Sequence, residues 1–231
     1  MAVLKAALNL AADRDDRITN RDIWYRELAN LPDVSEPRNV VVSDSIVQRI
    51  VAAAYAVDER VGLLFETAAV TGARFSQLAR LRVSDLDDRE VAPRLLVPTA
   101  RGQKKHRNRP VPIAESLAKR LRTLSEHRDE SSALLLKPDG TAWKRSEQTR
   151  PFKASVYRAE VRPEEIAPHT IDEITMYSLR HSSIVRQILR GVPIRVIAVS
   201  HDTSVAMIER NYSAFLADHS DTIARSGLLE I

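Results

Sequence analysis

At 231 residues, with 44% apolar and 29% charged residues, the chain is long enough to bury a full core and too apolar to be disordered. It has no cysteine, which excludes disulfides, thiolate metal sites and a cysteine nucleophile, and its 6 histidines never fall at the His-x-x-x-His spacing of a metal-binding helix, so neither a metal nor a cofactor is expected. A net charge of +4 suits a polyanionic partner, and no run approaches the roughly 18 apolar residues of a membrane span; with an acid-rich first segment unlike a signal peptide, the expectation is a cytoplasmic protein.

Residues 1–36 read as a helix on Val3, Leu4, Ala7, Leu8 and Leu10, a polar break over Asp13–Asn20, and a second helix around Ile23–Leu31 that stops before Pro32. This is too little to fold alone. Asp33–Arg38 has linker character, and Val40–Val42 is an extended entry to the larger domain, 37–231. Ser43 or Asp44 caps a helix that carries Ile46, Ile50, Val51 and Ala54 on one face. Glu59–Thr71, rich in Leu, Ala and Val, reads as a buried helix ending at Gly72, and Arg74 emerges from that turn before a new helix at Ser76, which holds it rigidly.

Arg94–Pro98 and Arg109–Ile113 read as two strands around ARGQKKHRN, a hairpin whose tip carries Arg101, Lys104, Lys105 and Arg107. Ala114–Glu126 is an amphipathic helix on Leu117, Leu121 and Leu124. Ala133–Leu136 reads as a strand before a turn at Pro138-Asp139-Gly140. Trp143–Val161 is basic and reads as helical, offering Lys144, Arg145, Arg150, Lys153 and Arg158 to phosphates. The fold class is mainly α with a small antiparallel β-sheet or hairpin, that is, α+β.

The stretch Ile171–Phe215 concentrates the chemistry. In a helix over Met176–Arg190, Tyr177 and Arg180 point from one face while Leu179, Ile184, Val185 and Ile188 pack another. His181 reads as a histidine satisfied within the fold. Gly191 ends this helix and Pro193 opens a second over Ile194–Val199, after which His201 sits in a polar loop. Asp202, Thr203 and Ser204 are N-cap candidates for a third helix through Val205, Met207 and Ile208, with Tyr212 at or just past its end. Ile223, Leu228, Leu229 and Ile231 then form an apolar stripe that needs a groove, its own or a neighbour's.

The order Tyr177-x-x-Arg180, His201, Tyr212 resembles the tyrosine recombinases (phage-type integrases), whose signature is His-x-x-Arg, Gly-His and a nucleophilic Tyr. The run from Thr71 to Leu78 matches the family's Thr-Gly-x-Arg-x-x-Glu/Gln-Leu motif around its first catalytic arginine. Two positions depart: Tyr177 stands where most relatives have histidine, and Ser200 precedes His201 where glycine is usual. The resemblance covers about 38–231 and implies site-specific DNA recombination or integration through a covalent 3′-phosphotyrosyl intermediate, independent of metal and ATP. It implies Tyr212 as nucleophile, Arg74 and Arg180 on the phosphate oxygens, His201 hydrogen-bonded to phosphate, and a hairpin lysine as general acid, with Lys104 placed best and Lys105 its competitor. Tyr177 takes a hydrogen-bonding role, because a phenol is a poor base at neutral pH.

Arg101, Lys105, Arg107, Lys144 and Arg145 are the expected DNA contacts, and Arg109 is expected to be solvated or to touch phosphate. The partners implied are double-stranded DNA and further copies of the chain, as a tetramer on paired sites with the C-terminal tail docked in trans or folded back on its own domain, in a nucleoid-associated location. Residues 1–36 then correspond to the last helices of an N-terminal helical, core-binding domain that clamps DNA. A non-catalytic DNA-binding relative and a type IB topoisomerase-like enzyme are the alternatives.

Overall fold

The computed structural model describes residues 2–28, 39–89, 91–99 and 108–218, with Asp221, Ala224, Arg225 and Leu228, in two compact units, Met1–Arg38 and Asn39–Ile231. The first unit holds α1 (Ala2–Arg14) and α2 (Arg21–Glu27). Trp24 is its buried side chain, and the indole N–H donates to Asn9 Oδ1 at 3.1 Å, so the two helices are joined by a satisfied polar contact as well as apolar area. The expected end of the second helix at residues 29–31 and the linker at 33–38 lie outside the described residues.

In the second unit, α3 (Asp44–Val57) starts where Ser43 Oγ accepts the Ile46 amide at 3.4 Å, and α4 (Glu59–Thr71) where Asp58 Oδ1 accepts the amides of Arg60 at 2.8 Å and Val61 at 3.3 Å. α4 buries residues all round its circumference, from Val61, Leu64 and Phe65 to Ala68 and Ala69, which makes it the central helix. Its two buried threonines return their hydroxyls to carbonyls one turn earlier, Thr67 to Leu63 at 2.7 Å and Thr71 to Thr67 at 2.6 Å, so no polar group is left bare. The helix stops at Gly72 in the left-handed region, φ +59°, as expected. α5 (Phe75–Leu78) begins at Phe75 rather than at Ser76.

The sheet has the order β1 (Leu86–Asp87), β2 (Arg94–Val97), β3 (Arg109–Pro112), antiparallel throughout, with Leu95 opposite both Leu86 and Val111. The first strand was not foreseen, because two residues cannot display a period-2 pattern. α6 (Glu115–Ser125) packs on Leu117 and Leu121 as expected. Two expectations need correction. Ala133–Leu136 is not a strand: its ends make isolated bridges, Arg82 with Ala133 and Leu136 with Ala142, because Leu134 and Leu135 both turn into the core instead of alternating. The basic helix is α7 (Thr149–Arg158), and Lys144 and Arg145 lie on an exposed turn before it, where Glu147 Oε2 accepts the Lys144 amide at 2.7 Å and holds the turn closed.

α8 (Met176–Leu189), α9 (Ile194–Ser200) and α10 (Val205–Asp218) follow. Gly191 turns the chain with φ +69° between the first two. α10 differs from expectation: it runs past Tyr212, which sits inside it at a break in helical geometry, φ −132° and ψ 17°. Ile184, Val185 and Ile188 of α8, Ile197 of α9, and Ile208 and Tyr212 of α10 form a second apolar cluster beside the main core of α3, α4, α6, α7 and the sheet. Ile223, Leu229 and Ile231 of the tail lie outside the described residues, and Leu228 is exposed. No described helix is long and apolar enough to cross a membrane.

At the centre, Phe65 and Phe152 meet edge to face with centroids 5.1 Å apart, both almost wholly buried. Phe65→Ala should lower the unfolding free energy by about 3–5 kcal/mol, read as a reduced urea midpoint at unchanged slope. Two histidines, His181 and His201, are also buried. Burial, seconded by the Arg180 cation, pushes their pKa values down to about 4 and about 3. Unfolded histidine titrates near 6.5, so below that pH the unfolded chain binds more protons than the folded one and stability falls. Urea titrations should show stability level above pH 6.5 and declining from there towards pH 4, by up to about 1.4 kcal/mol per pH unit for each histidine, with a shallower decline in His201→Asn.

Candidate active site

The site is built where the C-terminal ends of two helices meet. α4 ends at Gly72 and α9 ends at His201, and the guanidinium of Arg180, from the middle of α8, reaches both: one N–H donates to Gly72 O at 2.8 Å and another to His201 O at 2.5 Å. Arg180 is only 3% exposed. Burial and the neighbouring Arg74 cation hold its pKa below the ordinary value, and it stays cationic at neutral pH. Two of its five donors are engaged by these carbonyls, leaving others for a ligand.

Gly72 is required twice over at this junction. Its φ is positive, and a Cβ there would stand 2.4 Å from His201 Nε2. Sequence reasoning places His201 in a polar loop; instead it caps α9 and is wholly buried, with Nδ1 3.0 Å from Ile197 O and Nε2 3.1 Å from Ser183 Oγ. The Ile197 carbonyl can only accept, so Nδ1 carries the proton and Nε2 accepts from Ser183. Both ring nitrogens are thus engaged within the protein, and a bond from His201 to phosphate requires Ser183 to release Nε2.

Arg74 leaves the same turn. Its guanidinium donates to Asp202 O at 3.2 Å and lies 3.4 Å from Asp202 Oδ2. Asp202 was read from the sequence only as a possible cap; Ser204 takes that role, accepting the Met207 amide at 3.2 Å, and Asp202, at φ +51°, turns its carboxylate inward. There it also accepts from Gln77 Nε2 at 3.0 Å, while that same nitrogen donates to Pro98 O at 2.8 Å and Gln77 Oε1 accepts the Arg74 amide at 3.0 Å. Arg109 was expected in solvent or on phosphate. It is largely buried, with one N–H on Val199 O at 2.7 Å and Ser200 O at 2.6 Å and Nε 3.9 Å from Asp202 Oδ1. Residues 98 and 109 are the two ends of the hairpin, so its base is tied to the His201 turn from both strands. Lys104, Arg101, Lys105 and Arg107 themselves lie outside the described residues.

Tyr177 and Arg180, three residues apart on α8, face the same cavity but differ in burial. Tyr177 is 46% exposed, with the Arg180 guanidinium carbon 5.9 Å from its ring centroid. With Arg74, Lys153 and the apolar side chains of Phe75 and Ile174 they line a cavity of about 250 Å³. Lys153, foreseen as one of several phosphate-binding cations on its helix, is thereby set apart from Lys144 and Arg145.

Tyr212 is 4% exposed, and its hydroxyl lies 2.5 Å from His181 Nδ1. Burial pushes the phenol pKa up to about 12, against the pull of Arg180, so it is protonated at neutral pH. The break in α10 that turns Tyr212 inward is held from a distance: Asn39 Nδ2 donates to Asn211 O at 2.9 Å. His181 is satisfied within the fold as expected, and the identity of its partner is what sequence reasoning missed. The available signal was that it lies one turn beyond Tyr177, on the face that carries Tyr177.

The phage integrase family model matches residues 41–217. Among solved structures the chain is similar to the XerA recombinase, with 22% identity and a TM-score of 0.60 over 86% of this chain and 71% of that one. It is similar to the XerH site-specific recombinase in its post-cleavage complex with palindromic difH substrate (15% identity, TM-score 0.62, 85% of this chain), of which it spans 57%. It is also similar to the Tn1549 transposon integrase in complex with transposon right end DNA, with 16% identity and a TM-score of 0.63 over 96% of this chain and 76% of that one. No curated protein matches the chain. At these identities the solved structures establish the fold, that of a tyrosine recombinase catalytic domain. With a family model spanning the elements that carry Arg74, Arg180, His201 and Tyr212, the chain belongs to the phage integrase family.

Proposed function

We propose that the protein is a DNA strand transferase that carries out site-specific recombination through a 3′-phosphotyrosyl intermediate. The observation that supports this most is the convergence of Arg74, Arg180 and His201 around the ends of α4 and α9, with the Tyr212 hydroxyl buried against His181, the residue after Arg180. Transesterification of a phosphodiester needs a nucleophile, neutralisation of charge on the pentacoordinate phosphorus, and a proton for the departing 5′ oxygen. Tyr212 supplies the first. Its attack forms the phosphotyrosyl bond and conserves the energy of the broken ester, so rejoining needs no ATP.

Arg74 and Arg180 supply the second. Guanidinium groups stay charged and can each bond two oxygens, and these two line one cavity, held by carbonyls at two helix ends, so that they provide fixed cationic charge without a metal ion. Lys104, or its neighbour Lys105, is the general acid, carried on a hairpin whose base is tied to the His201 turn. His201 acts mainly by buttressing Arg180 through its carbonyl, and reaches phosphate when Ser183 lets Nε2 go. Tyr177 hydrogen-bonds the attacked phosphate or the nucleophile from the rim of the cavity.

The substrate is double-stranded DNA, with Arg101, Lys105, Arg107 and the exposed pair Lys144 and Arg145 on its backbone. Residues 1–36 serve as the last helices of a core-binding clamp. Four copies assemble on two paired sites, in the nucleoid, and the exposed Leu228 belongs to the segment passed between neighbours.

A nicked suicide substrate tests the reading, since it traps the covalent adduct by letting the cleaved end diffuse away. The native protein should form the adduct, and Tyr212→Phe should bind the same DNA and form none; an adduct with that variant excludes Tyr212 as nucleophile. A native protein that binds but never traps is a DNA-binding relative only, and one that traps but cannot exchange strands between duplexes is a topoisomerase. Tyr177→Phe should slow single-turnover cleavage roughly 10 to 100-fold, the effect of losing about 1.4–2.7 kcal/mol of transition-state interaction. Tyr177→His should be tolerated. A Phe variant as fast as native would make Tyr177 a packing residue.

A further inference from the structure

We propose that His181 is the proton acceptor of the nucleophile: its Nδ1 orients the Tyr212 phenol and takes the phenol's proton as the oxygen bonds to phosphorus. The inference rests on Tyr212 being the nucleophile. Three observations carry it. Nδ1 and the phenolic oxygen are 2.5 Å apart in a buried contact, within the reach required of a general base. Tyr177, where most relatives carry histidine, is half exposed and has a phenol rather than an imidazole, so the usual position holds no ready base. His181 lies one helical turn beyond Tyr177, its ring edge-on to the Tyr177 ring with centroids 4.8 Å apart. An imidazole is therefore present one turn along the same face, and it already touches the reacting atom.

The backbone fixes the geometry on the other side of the bond. Tyr212 leaves helical dihedrals, and Asn39 holds the carbonyl before it, so the phenol points at α8 rather than along its own helix. Of the charged and titratable groups around His181, Arg180 and Tyr177 come from α8 and Tyr212 from α10; Arg74, after α4, and His201, ending α9, act on Arg180. Burial first, and the Arg180 cation beside it, disfavour an imidazolium while the cavity holds no anion. A phosphate seated on Arg74 and Arg180 offsets the share due to Arg180, and its negative charge grows in the transition state. The imidazole is therefore more basic with DNA in place than without it, and the resting protein keeps an unreactive neutral phenol.

The step balances. The Tyr212 oxygen bonds to phosphorus, the bond from phosphorus to the 5′ oxygen breaks, the phenol proton passes to His181 Nδ1, and the leaving oxygen takes a proton from the hairpin lysine. Rejoining reverses each transfer: the imidazolium returns its proton to the departing phenolate while the lysine amine accepts that of the attacking 5′ hydroxyl.

The test is single-turnover cleavage of the nicked substrate from pH 5 to 9 by native protein and His181→Asn, whose amide oxygen can accept the phenol hydrogen bond but takes no proton. The expected result is cleavage slower by on the order of 100-fold or more, DNA affinity unchanged, and loss of the rate increase that native protein shows as the acceptor deprotonates. A 5′-bridging sulfur, which removes the need for a general acid, should not restore the variant, whereas fluorotyrosine at position 212, a more acidic phenol, should. A variant as fast as native with the same pH profile overturns the proposal, and so does a faster one, which would make His181 a latch that restrains the tyrosine. Adduct formation by Tyr212→Phe would instead overturn the nucleophile assignment itself. Should His181→Asn fail to fold, nitrogen NMR of labelled histidines in native protein decides: His181 Nδ1 should be unprotonated and shift in Tyr212→Phe, and a protonated Nδ1 overturns the proposal.

Discussion

A guanidinium buried between two helix ends is the constraint on which the candidate site of this protein depends. Removing Arg180 from water would cost several kcal/mol if nothing replaced its hydration. The replacement is electrostatic as well as hydrogen-bonded, because Gly72 O and His201 O stand at the C-termini of α4 and α9, where the partial negative charge of each helix collects. The same logic recurs beside it: Arg109 caps the Val199 and Ser200 carbonyls of α9, and Arg186 donates to Ala69 O near the end of α4 at 3.3 Å. Helix polarity thus gathers cations at one place, and the last few carbonyls, which have no partner within their own helix, become the means of holding them.

Rigidity in the site comes from a second device, the inward carboxylate of Asp202. Through Gln77 it is linked to the start of the hairpin, through Arg109 to its return, and directly to Arg74. The arginine turn, the histidine turn and the hairpin base are therefore one hydrogen-bonded body, although the two turns are separated by more than a hundred residues of sequence. Catalytic positioning of this kind tolerates little slack.

The features legible in the sequence were those that a few adjacent residues decide. Gly72 after a buried helix, Ser43 before one, and the Gly191 and Pro193 punctuation each act through local backbone preference, and each held. The placement of Tyr212 was not legible, because the carbonyl before the break inside α10 is held by Asn39, which is distant in sequence. The partner of His181 was hidden for the same reason. Arg109 and Asp202 read as solvent-facing because charged residues in loops usually are; only the convergence of α9 with the sheet makes a buried pair there possible. Ala133–Leu136 has strand composition, but both its leucines are claimed by one core and alternation is lost.

Gly72 carries an implication for how kinship in such proteins is read. It takes no part in bond making, yet a single methyl group there would occupy the space of the His201 ring and move the carbonyl that holds Arg180. Across homologous chains, this position should therefore be as invariant as Arg180 itself. That invariance would record a clearance between a turn of backbone and an imidazole ring, and a survey ranking residues by constancy alone would mistake an empty volume for a reagent.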